Sequence, residues 1–200
     1  MTTLLQINSS INNGNGQSSR LADQFVATFG ERNPDTRIIR RDLAAEAVPH
    51  LTAERFGAFI ANPEQLSTDQ RTVLAYSDAL IAELKAADVI VLGLPMYNFG
   101  VPSQLKAYFD HIARAGVTFR YSASGPQGLL TGKKVYVFAA RGGLYAGSPL
   151  DTQTGYVRVF LRFLGMDDVE FVYAEGLATG SEARDASLAN AAAHAVRLAA

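Results

Sequence analysis

Residues 88–93 read Asp88-Val89-Ile90-Val91-Leu92-Gly93, and Leu94-Pro95-Met96-Tyr97-Asn98-Phe99-Gly100-Val101-Pro102-Ser103 follows directly. The first part is a near-continuous apolar run, the pattern of a central parallel strand buried on both faces. Helical patterns flank it. Upstream, Ser67-Thr68-Asp69-Gln70 has the spacing of a capping box, and Val73, Leu74, Leu80, Ile81 and Leu84 extend an apolar stripe to about Ala87. Downstream, Leu105, Tyr108, Phe109 and Ile112 recur at helical spacing from Ser103 to about Arg114.

The same alternation runs outward in both directions. Strands are expected at Thr3–Ile7, Arg37–Arg41, Lys134–Ala139 and Val169–Tyr173. Helices are expected at Ser18 to about Glu31, with Leu21, Phe25, Val26 and Phe29 on one face, and over residues 149–164, with Tyr156, Phe160 and Phe163 inward. An Ala-rich helix runs from Ser181 to about Leu198. Residues 43–66, with Pro49, Gly57 and Pro63, show no clear period and read as a long excursion with a helical turn or two. Five strands alternating with five helices imply a single α/β domain over residues 1–200, a doubly wound parallel sheet with helices on both faces. The expected strand order is the flavodoxin-like 2-1-3-4-5, which places a ligand crevice outside the carboxyl ends of the first and third strands.

Composition narrows the chemistry. The 200 residues carry 18 Lys+Arg against 19 Asp+Glu, a net charge of -1, so no cationic excess suits a polyanion, and neither nucleic acid nor an anionic membrane is an expected partner. With no cysteine, disulfides, thiolate metal sites, iron–sulfur clusters and cysteine nucleophiles are excluded. Redox work would then ride on a bound organic cofactor or a non-thiolate metal. His50, His111 and His194 show no ligand spacing, so no metal is expected. No basic-apolar leader or spanning run occurs, which leaves a soluble cytoplasmic protein as the expectation.

The crevice loops carry the remaining signal. Ser9-Ser10-Ile11-Asn12-Asn13-Gly14-Asn15-Gly16-Gln17-Ser18-Ser19 joins a strand to a helix N-terminus, where free N–H groups and the helix dipole suit a phosphate. An ordinary βα loop with a serine N-cap would look similar. Residues 95–103 are stiffened by two prolines, and Met96, Tyr97 and Phe99 need a reason to face solvent. A flat aromatic ligand supplies one, with Asn98 at its polar edge; capping the core supplies another. In Ala140-Arg141-Gly142-Gly143-Leu144-Tyr145-Ala146-Gly147, paired glycines permit close backbone approach, and Arg141 is either a cation near an electron-rich ring or a surface charge. A phosphate site, a planar platform and a glycine wall together match FMN better than any one loop does. Fourteen of the 19 Phe and Tyr residues lie between Tyr97 and Tyr173, which concentrates stacking surface in this half. Two phosphate motifs fail: Gly14-x-Gly16-x-x-Ser19 lacks a third glycine, and in Thr131-Gly132-Lys133-Lys134 a lysine stands where a P-loop needs Ser or Thr.

Pro95-Met96-Tyr97-Asn98-Phe99 followed by Ser103-Gln104-Leu105-Lys106-x-Tyr108-Phe109-Asp110 resembles the FMN-dependent NADH:azoreductases and NAD(P)H quinone reductases. So do Arg114-Ala115-Gly116-Val117-Thr118-Phe119-Arg120-Tyr121, Gly132-Lys133-Lys134 and Arg141-Gly142-Gly143. The resemblance implies a flavodoxin-like homodimer that holds FMN near its interface and reduces azo compounds and quinones with NADH or NADPH by ping-pong hydride transfer. It implies that Ser10, Gly16, Gln17 and Ser18 hold the FMN phosphate. Met96, Tyr97, Asn98 and Phe99, with Ala140, Arg141, Gly142 and Gly143, would contact the ring. The family often has serine at the position of Ala140, which leaves backbone contacts there. Phe99, Phe119, Tyr121 and Phe163 are the candidate acceptor pocket, some of them from the partner subunit. The competing class is a flavodoxin-like electron carrier or flavin-binding regulator without enzymatic activity.

Overall fold

The computed structural model describes residues 1–199. Five strands form one parallel sheet: β1 (Thr3–Asn8), β2 (Arg37–Asp42), β3 (Val89–Pro95), β6 (Lys134–Ala140) and β7 (Asp168–Ala174), in the order β2-β1-β3-β6-β7. Counted along the main sheet alone, this is the expected 2-1-3-4-5. The register pairs Leu5 with Ile39 and Ile90, and Val91 with Tyr136. The two intervening strands, β4 (Phe119–Ser122) and β5 (Gly125–Gly128), form a separate antiparallel hairpin.

The apolar run of β3 is buried on both faces because its side chains alternate between two cores. Val91 joins Leu4, Phe25, Phe138 and Val172 beneath α1 (Gln17–Arg32) and α6 (Ser181–Leu198). Ile90, Leu92 and Leu94 face the other core with Leu80, Leu105, Phe109 and Leu161. These come from α3 (Thr68–Ala86), α4 (Ser103–Ile112) and α5 (Thr154–Phe163). The capping box forms as expected: Ser67 Oγ accepts from the Gln70 amide at 3.2 Å, and Gln70 Oε1 accepts from the Ser67 amide at 2.9 Å.

The helical turns expected within residues 43–66 form α2 (Ala53–Ile60), which Thr52 caps through the Arg55 amide at 3.2 Å despite Gly57 in its middle. The glycine-rich segment after α4 is a hairpin, with Gly125 taking φ 110°. Finally, α5 starts at Thr154 rather than 149, and its deeply buried residues are Val157 and Leu161. Tyr156, Phe160 and Phe163 line the flank, half-buried, with Phe160 stacked on Phe109 at 4.1 Å between ring centroids. Among the described residues, no helix is long and apolar enough to cross a membrane.

Candidate active site

At the carboxyl end of β1, Ser9 ties the first loop to β3: its amide and hydroxyl both donate to the Gly93 carbonyl, at 3.3 and 2.7 Å. The chain then enters α1 through a short 3-10 turn, Asn13–Asn15. Gly16 is the N-cap, no side chain caps the helix, and no acidic residue sits in its first turn. The Arg20 amide bonds back to the Gly16 carbonyl at 2.9 Å. The helix end therefore keeps its positive pole available to an anion. Ser10 and Ser18 are buried, and the Ser18 hydroxyl has no partner among the described residues. A Cβ on Gly16 would lie 2.2 Å from Ser10 Oγ, so glycine alone permits this close a cradle. Gln17 stands half-buried beside it.

The second loop continues β3. The Met96 amide donates to the Ala140 carbonyl at 3.0 Å, and Tyr97 and Gly100 then exchange backbone bonds at 3.2 and 3.0 Å. Between them Asn98 and Phe99 have φ 49° and 62°. Positive φ at both central positions makes this a type I′ turn. Asparagine tolerates that region, whereas for phenylalanine it costs about 1–3 kcal/mol. The strain leaves Asn98 and Phe99 exposed at the crevice, with Met96 and Tyr97 half-buried below them. The Tyr97 hydroxyl reaches the first loop, 3.3 Å from both Ser10 Oγ and the Ile11 amide nitrogen.

The third loop leaves β6. The carbonyls of Gly142 and Gly143 accept from the Ala178 and Gly176 amides, both at 2.9 Å. Neither glycine's own N–H has a hydrogen-bond partner among the described residues. Arg141 corrects both sequence readings of it. It is neither a surface charge nor a cation at the crevice, but a strut turned into the interior, 1 % exposed. Its guanidinium pairs with Asp151 at 3.0 Å and Glu175 at 3.1 Å, donates to Thr154 Oγ1 at 2.8 Å, and lies over the Tyr173 ring. Burial would push the Asp151 carboxyl up, but hydrogen bonds from the Thr154 amide and Arg141 outweigh it and hold the carboxyl below its ordinary range. Glu175 also accepts from the Tyr145 and Ala146 amides at 3.0 and 2.9 Å, which fixes the loop beyond the glycines. Ala140 is buried at the end of β6.

Several of these supports carry no local signal in the sequence. Asp151, Thr152 and Gln153 look like the start of a helix, yet they bond back to the loops before them. Gln153, fully buried, donates to the Pro95 carbonyl at 2.9 Å and the Gly100 carbonyl at 3.2 Å. Thr152 Oγ1 donates to the Phe99 carbonyl.

The four candidate pocket aromatics do not meet within the chain. Phe99 sits at the carboxyl end of the sheet, packed on Tyr145 with 5.6 Å between ring centroids. Phe119, Tyr121 and Phe163 cluster at the opposite end, where the hairpin docks on the last turn of α5. Phe119 is buried there and Tyr121 is 76 % exposed. His111 is a packing residue, buried with Nε2 on the Pro49 carbonyl at 3.0 Å and edge-on to Tyr76 and Phe59.

Comparison with known proteins agrees with this arrangement. Residues 2–198 match the family model described as "Flavodoxin-like fold". An "FMN-dependent NADH:quinone oxidoreductase 6" of Burkholderia lata is 56% identical over 191 residues, covering 96% of each chain. An "FMN-dependent NADH:quinone oxidoreductase" of Cellvibrio japonicus is 56% identical over 182 residues, covering 91% of this chain and 92% of that one. The azoreductase of Bacillus anthracis superposes with a TM-score of 0.91 at 27% identity, covering 100% of this chain and 99% of the other. An FMN-dependent NADH-azoreductase from the same species, solved in complex with FMN, gives 0.88 at 26% identity over 100% of both chains. The chain belongs to the flavodoxin-like family of FMN-dependent NADH:quinone oxidoreductases and azoreductases.

Proposed function

We propose that this protein binds FMN in the crevice and reduces quinones and azo compounds with NADH or NADPH. The observation that carries the reading is the set of polar groups left without partners at one end of the sheet: the uncapped α1 terminus, the Ser18 hydroxyl, and the Gly142 and Gly143 amides. Buried or converging polar groups without partners are costly unless a ligand satisfies them. Their chemistry fits FMN part by part. Ser10, Gly16, Gln17 and Ser18 would hold the phosphate, Met96, Tyr97, Asn98 and Phe99 the ring, and the amides of Gly142 and Gly143 its electron-rich edge. Ala140 would line the ring, and Arg141, whose own N–H and carbonyl bond to Ala174 and Leu177, contributes by bracing the loop.

Bound FMN supplies hydride acceptance from a nicotinamide and hydride donation to an acceptor. The residues around it bind and orient. N–H groups fixed by the Glu175 and Arg141 clamp stabilise negative charge without reorganising, which is their largest contribution. Donor and acceptor alternate at one exposed site, so the expected kinetics are ping-pong, with parallel double-reciprocal lines. Phe119, Tyr121 and Phe163 lie too far round the sheet to serve their own subunit's crevice. In a homodimer they would complete the acceptor side of the partner's site beside its Phe99.

The test is optical. The purified chain should take up FMN, turn yellow, bleach with NADH or NADPH, and recover colour with a quinone or an azo dye. Failure to take up FMN defeats the proposal. Bleaching without turnover of any acceptor would point to a passive carrier.

A further inference from the structure

The two loops that face the proposed ring site are separate in sequence, yet one short segment is bonded to both. Asp151 pairs with Arg141 at the root of the glycine loop. Thr152 donates to the Phe99 carbonyl, and Gln153 donates to the carbonyls of Pro95 and Gly100, on either side of the left-handed turn. Thr154 Oγ1 accepts from Arg141 and lies 3.0 Å from the Tyr173 hydroxyl. We propose that residues 151–154 are a positioning element, with Gln153 at its centre, that sets the turn at Asn98–Phe99 against the Gly142–Gly143 amides and so tunes FMN binding. This rests on the FMN reading of the crevice.

Three features support a positioning role over simple packing. The Gln153 side chain sends its donor to two loop carbonyls and makes no bond within its own helix, where only its backbone carbonyl accepts from the Val157 amide, while its Oε1 has no partner among the described residues. A side chain kept only for stability would not bury an unsatisfied oxygen. The bonds also fall on a turn that Phe99 would not adopt unaided, since its φ is 62°. And the Asp151 bond reaches the glycine loop through the buried charge of Arg141, so movement of the segment displaces both loops together.

Gln153→Met tests this in the full chain, because it keeps the length of the side chain, removes the donor and removes the orphaned oxygen. The FMN-free protein should melt close to wild type. FMN affinity, read by quenching of flavin fluorescence, should fall about ten-fold as the binding-competent loop geometry becomes a minor population. The visible band and the reduction potential of the bound flavin should shift as well. Thr152→Val, at an exposed position, should move the same readouts in the same direction by less, and it carries the test alone if Gln153→Met does not fold. Wild-type affinity, band and potential in the folded variants overturn the inference while the FMN reading stands. A wild-type chain that takes up no FMN overturns both.

Discussion

The two ends of the sheet are built to opposite rules. At the amino end, charged side chains and chain ends are tied to partners within the chain, although the buried Thr36 hydroxyl has none among the described residues. Lys133 Nζ donates to the Ala87 and Lys85 carbonyls at 2.6 and 3.1 Å, closing the C-terminus of α3, and Asp88 accepts from the Thr3 amide at 2.8 Å. The hairpin is locked by backbone contact, with Leu130 donating to the Leu164 carbonyl at 2.8 Å and Gly128 against Gly165. At the carboxyl end, α1 has no side-chain cap, Ser18 and Ser19 keep unpartnered hydroxyls, and Asn98 and Phe99 hold left-handed backbone. The same fold therefore ties down its charged groups at one end and holds left-handed backbone and open donors together at the other. Such strain persists only where surrounding structure enforces it, here Gln153, Arg141 and Glu175.

The contrast can be broken at either end. Gly128→Ala should have the largest effect. Its Cβ would lie 2.0 Å from the Gly165 nitrogen and 2.2 Å from the Leu164 carbonyl carbon, and rigid backbone cannot yield. Urea denaturation should show a loss of about 3 kcal/mol. Gly16→Ala, at the other end, would place a Cβ 2.2 Å from Ser10 Oγ and 2.5 Å from Ser10 Cβ, so the first loop must shift, at a smaller cost in stability than the backbone clash at Gly128. FMN affinity should fall roughly ten- to a hundred-fold, the size of one lost charge-assisted hydrogen bond. If fluorescence titration shows unchanged affinity, the cradle does not hold the phosphate.

The smallest effect is set by pH at neither end. Burial lowers the His111 pKa below its ordinary 6.5, with the Pro49 carbonyl and Asp110 opposing and Arg55 assisting. The neutral ring is thus favoured in the folded state. Stability from this group is complete above about pH 6.5 and is lost as pH falls toward the depressed folded value. The slope is at most about 1.4 kcal/mol per pH unit for one proton. His111→Phe should flatten the dependence of stability on pH between 8 and 5; an unchanged slope would assign it to other groups.

Much of the fold was legible because its signals are local. Val89 to Leu92 announce a doubly buried strand, and Ser67 with Gln70 announce a helix start, whatever surrounds them. The site was half legible. Its backbone donors follow from glycines and serines placed after strands, and the 95–110 motif carries the family. Arg141 misled because sequence cannot say which way a side chain turns, and the bounds of α2 stayed open because Thr52 offsets Gly57 only once its hydroxyl meets the Arg55 amide.

By itself, then, the sequence determined the alternation of strands and helices, the sheet order and the loops that meet at its carboxyl end. These depend on periodicity and chain connectivity, which are written along the chain. The tertiary structure decided what holds those loops. The bonds from Gln153 to Pro95 and Gly100, and from Glu175 to Tyr145 and Ala146, join residues with no shared periodicity. Only folding brings such atoms within hydrogen-bonding distance, and no local pattern records the encounter.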